Sequence, residues 1–299
     1  MNKKVILLIL WIVMTIISGY AIWKFDECDY GLGEAIAGFL IALFGDNVKL
    51  SAQDISDTTN WKVSQRKLKR GGFINNDTII RISFAYLYRI KVGNKYLLVQ
   101  NSRKTGKFQP VGGVYKLTGD EKLELRNTFH VMDDNKIQID KSSRDDYRLR
   151  MKNKYLRRFV KRFNEKADRE RIDNITREFK EELIDTGILN WTQLQYRYCG
   201  RHMTDLKWGD HFQIYELLLA DVVELIPSQE QQKDLQELIN NQSDRYRFAT
   251  AEQISCLGID VESGDLHEWI GDHTKKILQE NESDLLKVEG VGVIYTVNI

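Results

Sequence analysis

Apolar and polar positions follow three different patterns along this chain, and each predicts a different kind of element. From Val5 to Trp23 the sequence is almost uninterruptedly apolar. That is long enough to cross the hydrocarbon core of a bilayer, with Trp23 and Lys24 placed for the far interface. A cleaved signal peptide is the competing reading, but its apolar region is normally shorter and ends at a small-residue cleavage site, which is not obvious here. Residues 31–45 form a second apolar run, short for a span and rich in Gly and Ala, with Glu34 near its start. It reads as a second span or as an interfacial or re-entrant helix. The acidic link Asp26-Glu27-Cys28-Asp29-Tyr30 between the runs predicts a two-helix transmembrane hairpin.

The second pattern is alternation. Residues 78–90 alternate and are rich in β-formers, and Gly93-Asn94 then turns the chain into Lys95-Tyr96-Leu97-Leu98-Val99-Gln100, which predicts a hairpin. Further strands are predicted around 191–199 and 211–226, with helices over 229–239 and 266–278 and a short element at 250–254. The segment from Gly200-Arg201-His202 to Trp208-Gly209-Asp210-His211 reads as a polar loop, its histidines as hydrogen-bonding residues. Residues 1–48 therefore read as the anchor, 49–76 as a linker and 77–299 as an α/β domain.

The third pattern is helical. At about 100° per residue, Ile172, Ile175, Phe179 and Leu183 fall on one stripe, while Glu178, Glu181, Glu182 and Asp185 fall on a neighbouring one. Several carboxylates so placed can share a hard cation such as Mg through oxygen ligands. An acidic face that merely solvates the helix is the plain alternative. Asp173 or Asn174 is placed to cap the helix.

The order Arg177-Glu178-Phe179-Lys180-Glu181-Glu182, preceded far upstream by Pro110-Val111-Gly112-Gly113, resembles a Nudix box split by an insert at about 117–171. The resemblance implies a Nudix-like α/β/α sandwich in which a Gly turn and a helix present carboxylates to a divalent metal and a diphosphate. The chain departs from the family pattern twice. The further Glu expected a few residues after the Gly turn has no secure counterpart among Thr118, Gly119, Asp120 and Glu121. Gly187 also comes about one helical turn late after Glu182.

Composition adds two limits. The net charge of +1 argues against general nucleic-acid binding. Cys28, Cys199 and Cys256 show neither metal nor disulfide spacing, in keeping with a reducing compartment. Lys3 and Lys4 precede the first apolar run, and Lys49, Lys62, Arg66, Lys67, Lys69 and Arg70 follow the second. The positive-inside rule then puts both ends and the soluble domain in the cytoplasm, on a multi-pass inner-membrane protein. Within the insert, Arg144, Arg148, Arg150, Arg157, Arg158 and their neighbours read as a basic helical span interleaved with aromatics. It would offer donors and stacking surfaces to phosphates, or lie solvated, or rest on anionic lipid.

A two-span anchor followed by a divergent Nudix box resembles the nucleotidyltransferase-associated Nudix effectors of bacterial CBASS anti-phage systems. That resemblance implies a cyclic oligonucleotide made by a CD-NTase-type nucleotidyltransferase as the ligand, sensed by the soluble domain and executed at the membrane. Two functions remain open. In one, the domain is a receptor whose ligand contacts Gly112, Gly113, Arg148, Arg157, Arg158 and Arg177. Ligand then drives homo-oligomerisation through Gly33, Glu34, Ala37, Gly38 and Ala42. In the other, Glu178, Glu181 and Glu182 are catalytic and metal-binding residues of a membrane-tethered hydrolase acting on a nucleoside-diphosphate-linked substrate.

Overall fold

The computed structural model describes residues 3–56, 60–101, 106–137, 140, 143–165, 168–241, 243–259, 267–278, 285–286, 288 and 291–299. The chain divides into two compact units, residues 1–67 and 68–299, and each is described by itself.

In the first unit, helix α1 (Lys3–Glu27) and helix α2 (Gly31–Ser56) pack against each other as a hairpin. Helix α3 (Asn60–Arg70) begins here and crosses into the second unit, so much of the expected linker is helical. Trp11 stacks on Phe44 at 5.8 Å between centroids, and Phe25 meets Tyr30 edge-on at the turn. Ile6, Leu10, Ile17, Phe39 and Leu43 stay exposed. Both helices are long and apolar enough to cross a membrane.

The small residues of α2 divide by environment. A Cβ on Gly33 would strike the rings of Tyr30 and Phe25, and Ala37 is buried, so these two serve the hairpin's own seam. Gly38 has open space around it, Ala42 is exposed and Glu34 is half-buried. The expected association face therefore loses Gly33 and Ala37 to intramolecular packing.

The second unit is a mixed α/β domain, in keeping with a Nudix-like fold. Its elements, in chain order, begin with strands β1 (Ile79–Arg89), β2 (Lys91–Val92), β3 (Lys95–Gln100), β4 (Phe108–Gln109) and β5 (Gly112–Val114). Helix α4 (Glu121–Phe129), strands β6 (Met132–Asp133) and β7 (Arg148–Lys152), helix α5 (Leu156–Glu165) and helix α6 (Arg177–Phe179) follow. Strands β8 (Gln193–Met203), β9 (Lys207–Gly209) and β10 (Ile214–Leu225), helix α7 (Gln229–Asn240), strand β11 (Tyr246–Thr250), helix α8 (Ala251–Ser255) and strand β12 (Ile294–Asn298) complete it.

The larger sheet runs β12-β8-β10-β1-β7-β6, with β5 on β1 and β9 on β10. A smaller sheet runs β11-β3-β2, with β4 on β3. Strand β1 pairs parallel to β10 over residues 80–89, from Ile80↔Tyr215 to Arg89↔Glu224. Gly93 adopts φ +60°, as the expected turn requires, yet the strand that pairs with β3 across this turn is the short β2 and not β1. The chain leaves the hairpin at Ile90 and β1 joins the other sheet, because its buried residues on both faces suit a central strand.

The insert is built into this sheet. Arg148, Arg150 and Lys152 lie on β7, paired to β1, and not on the expected helix. The buried alternation Tyr147, Leu149, Met151 has strand period, and a 3-10 turn at Asn153–Tyr155 leads into the α-helix at Leu156. Phe163 of α5 then packs on Phe84 and Tyr147, with centroids 4.7 and 4.9 Å away. Helix α4 contributes buried Glu121, which Arg162 and Tyr147 hold. The expected helix over 266–278 is a 3-10 turn at Asp272–Leu278, and Leu266 lies outside the described residues. His202 lies on β8 rather than in a loop.

Side chains of β1 alternate between two environments. Tyr88 reaches the box helix, its hydroxyl donating to Ile175 O at 2.8 Å and its ring meeting Phe179 at 5.4 Å. Leu87, on the other face, joins a core with Phe108, Ala220, Ile254, Ile270 and Ile277 between the two sheets.

Candidate functional site

Beside that core lies a cleft of about 800 Å³. Ser83, Ala85 and Leu87 of β1 and Leu219 and Ala220 of β10 line it, joined by residues from both halves of the split box.

The two glycines have different reasons to be glycine. Gly112 adopts φ +147°, and a Cβ there would run into the Tyr86 carbonyl, so no other residue fits this pairing with β1. A Cβ on Gly113 would occupy the place of the Glu178 carboxylate. Bare backbone at 112–113 is thus what lets the box carboxylates come close to the strand. Gly112 N–H donates to Glu182 Oε2 at 3.1 Å, closing the two halves on each other.

The helix is short and irregular. Thr176 is its N-cap, without a side-chain capping bond, while Asp173 pairs with Arg171 instead. After Phe179 it widens into a π-turn at Lys180–Ile184, in which Asp185 N–H donates to Lys180 O. This π-turn takes up residues that the sequence had presented as an extra helical turn, and such bulges cluster at functional sites. Gly187, at φ +70°, then ends the helix, its N–H donating to Ile184 O. Ile175, Phe179 and Leu183 are fully buried, as their spacing predicted.

The three carboxylates do not share one exposed face. Glu181 is exposed, whereas Glu178 and Glu182 are half-buried in the cleft wall. Burial, and then the charge of Glu178, pushes the Glu182 carboxyl up to about 8. Glu178 is also raised, by burial first, against the opposing pull of Arg177.

Arg177 lines the cleft, but its donors are engaged within the protein. Its Nη1 lies 2.5 Å from Glu178 Oε1, its Nε donates to Glu170 Oε1 at 2.7 Å, and its Nη2 donates to Val114 O at 3.0 Å. Glu170, in turn, accepts from Lys116 N–H at 2.9 Å. A carboxylate from the far end of the insert therefore ties the box arginine to the strand after the Gly turn. Sequence reasoning sought such a Glu at 118–121 and missed Glu170, whose one signal was its position seven residues before Arg177.

Arg148 lines the cleft and pairs with Asp146 at 3.4 Å, and Lys116 pairs with the same carboxylate. Arg157 and Arg158 do not line it. They are exposed on α5, where Arg158 lies over the Phe129 ring. His273 and Lys276 line it from the 3-10 turn, and neither was singled out from the sequence.

A magnesium ion needs several oxygens converging on one point. Among the described residues, no group of three or more His, Cys, Asp or Glu is so arranged. Glu178 faces Arg177, Glu182 faces the Gly112 N–H, and Glu181 stands exposed with Arg177 3.7 Å away. The box carboxylates, as placed, do not build a cage of three or more protein ligands for a divalent cation; magnesium held by one or two of them would have to complete its shell with water and a ligand's phosphates.

A family model described as SMODS-associated NUDIX domain matches residues 79–278. Comparison with curated proteins gives no match. A solved structure described as a UDP-X diphosphatase aligns over 93% of this chain and 94% of its own, at 11% identity and a TM-score of 0.24. That likeness is too distant to bear on the site.

Proposed function

The chain belongs to the SMODS-associated NUDIX family, and we propose that its Nudix-like domain is a receptor for a cyclic oligonucleotide second messenger. The family description links the chain to an SMODS-type nucleotidyltransferase system, which would supply that ligand. One observation carries the preference for a receptor: the box carboxylates are held by Arg177 and the Gly112 N–H and do not converge on a metal-sized point. Around them, a cleft bearing both cations and carboxylates suits a ligand with phosphates and hydrogen-bond donors. Of the expected ligand contacts, Gly112, Gly113, Arg148 and Arg177 remain within this reading.

The second reading is a membrane-tethered, Mg-dependent hydrolase. It is favoured by Glu178, Glu181 and Glu182 all lining one cleft beside the Gly turn. Binding and turnover with a panel of linear and cyclic nucleotides, each with and without magnesium, decide between the two. Saturable binding of a cyclic oligonucleotide without turnover supports the receptor. Turnover that disappears in Glu181→Gln or Glu182→Gln overturns it in favour of the hydrolase.

In the receptor reading, α1 and α2 cross the inner membrane with both ends in the cytoplasm. Ligand drives self-association, and the open Gly38–Ala42 face of α2 packs against its copies. Glu34 is better tolerated in such an assembly, with polar partners or water, than alone in hydrocarbon. The assembled segments disturb the bilayer. Dye leakage from vesicles that carry the wild type with its second unit facing outward, on adding the cyclic oligonucleotide, lost in Gly38→Leu, is the expected result. An intact membrane and an unchanged oligomeric state in the wild type overturn this part.

A further inference from the structure

Facing the cleft is a wall built by the 3-10 turn Asp272–Leu278. In a 3-10 turn, residues three apart eclipse one another, so His273 and Lys276 share one side while Thr274 and Ile277 share another. Thr274 and Ile277 are fully buried, Ile277 within the core between the sheets. This sets the rotation of the turn and leaves His273 and Lys276 lining the cleft. The backbone is held firmly. Phe108 N–H donates to Trp269 O at 2.8 Å, Gly271 N–H donates to Phe108 O at 2.9 Å, and Arg89 Nε donates to Ile277 O at 2.6 Å.

The other cations of the cleft have carboxylates of their own: Lys116 and Arg148 share Asp146, and Arg177 has Glu170 and Glu178. Lys276 differs. Among the described residues no carboxylate pairs with it; the charge it meets is the like charge of Lys207. Burial, and then Lys207, hold its ammonium down to about 8, and burial followed by Lys276 holds His273 down to about 4. A half-buried ammonium with no carboxylate partner among the described residues is stabilised when an anion arrives. A neutral imidazole beside it can donate one further hydrogen bond.

Resting on the receptor reading, we propose that Lys276 and His273 form the anion-binding end of the cleft and hold a phosphate group of the nucleotide. Lysine is a compact point charge that suits phosphate. The wall carrying Glu178 and Glu182 then meets the ligand's hydroxyl and amino donors. This polarity is the reverse of the one a hydrolase needs, in which metal on the box carboxylates would draw the phosphates to that wall.

The test uses full-length protein in detergent micelles, inorganic pyrophosphate as probe and no divalent cation. Amine acetylation is followed residue by residue by peptide mass spectrometry. Pyrophosphate is expected to slow acetylation of Lys276 by about fivefold or more and to leave its exposed neighbour Lys275 unchanged. Lys276→Met is expected to raise the pyrophosphate Kd by about tenfold or more, and Lys276→Arg to raise it less. Equal protection of both lysines, or of neither, overturns the proposal without relying on any variant. The two readings separate cleanly. Cyclic oligonucleotides binding Lys276→Met as tightly as wild type would keep the receptor and remove this site. Nucleotides failing to bind while pyrophosphate still protects Lys276 would keep the anion site and remove the receptor.

Discussion

Glu182 accepts a hydrogen bond from the backbone of Gly112 across 70 residues of chain, and in doing so joins the two halves of the split Nudix box. The bond exists because two glycines leave the strand bare at the point where the helix arrives. Gly112→Ala should therefore be costly on two counts, a strained positive φ and a collision with the Tyr86 carbonyl. We expect a loss of about 2 kcal/mol or more, seen as a Tm lower by about 4–8 °C. A Tm within about 1 °C of wild type would show that this close approach does not hold in solution.

The raised Glu182 carboxyl makes a pH-dependent statement. Between its ordinary value of 4.5 and about 8, the folded protein keeps this proton and the unfolded chain has lost it. Stability from this group is then complete below about pH 4.5 and falls as pH rises towards about 8. Glu182→Gln removes that fall. Denaturant unfolding should find the variant about 1–3 kcal/mol more stable relative to wild type above pH 8 than below pH 4.5. A difference that stays flat with pH would place Glu182 in water.

Arg177 holds Glu170, Glu178 and the Val114 carbonyl together. Arg177→Met strands two half-buried carboxylates and should cost about 2–3 kcal/mol in urea unfolding. Combining it with Glu170→Gln should give a coupling of about 1 kcal/mol or more in a double-mutant cycle. Simple additivity would mean that the insert's carboxylate does not support the box.

Magnesium is expected to leave the Tm of the protein unchanged, because the box carboxylates do not converge on a cation. A Tm that rises with magnesium in the wild type but not in Glu182→Gln would favour the hydrolase.

Orientation in the membrane can be read with thiols. Cys28 is exposed at the turn between α1 and α2, and Cys256 is exposed in the second unit. An impermeant maleimide applied to sealed cells should label Cys28 and spare Cys199 and Cys256. Labelling of Cys256 would reverse the orientation.

Local periodicity alone determined much of this protein. The two apolar helices, the strand pattern of β1 and the buried stripe Ile175, Phe179, Leu183 follow from which residues avoid water at successive positions. The box was legible because each of its halves, Pro110 to Gly113 and Arg177 to Glu182, resembles the family pattern over a few consecutive residues. Tertiary structure alone decided the rest, since it turns on partners far apart in the chain. Strand β1 pairs with β10 because it is buried on both faces, although its turn chemistry pointed to β3. Basic residues that looked continuous in sequence divide between strand β7 and helix α5. Glu170 meets Arg177 only once the insert has folded back, and Gly33 and Ala37 go to the hairpin seam only once α1 lies against α2. Lys276 carries no local pattern at all; its place in the cleft depends on Thr274 and Ile277 being drawn into a core that the rest of the chain completes.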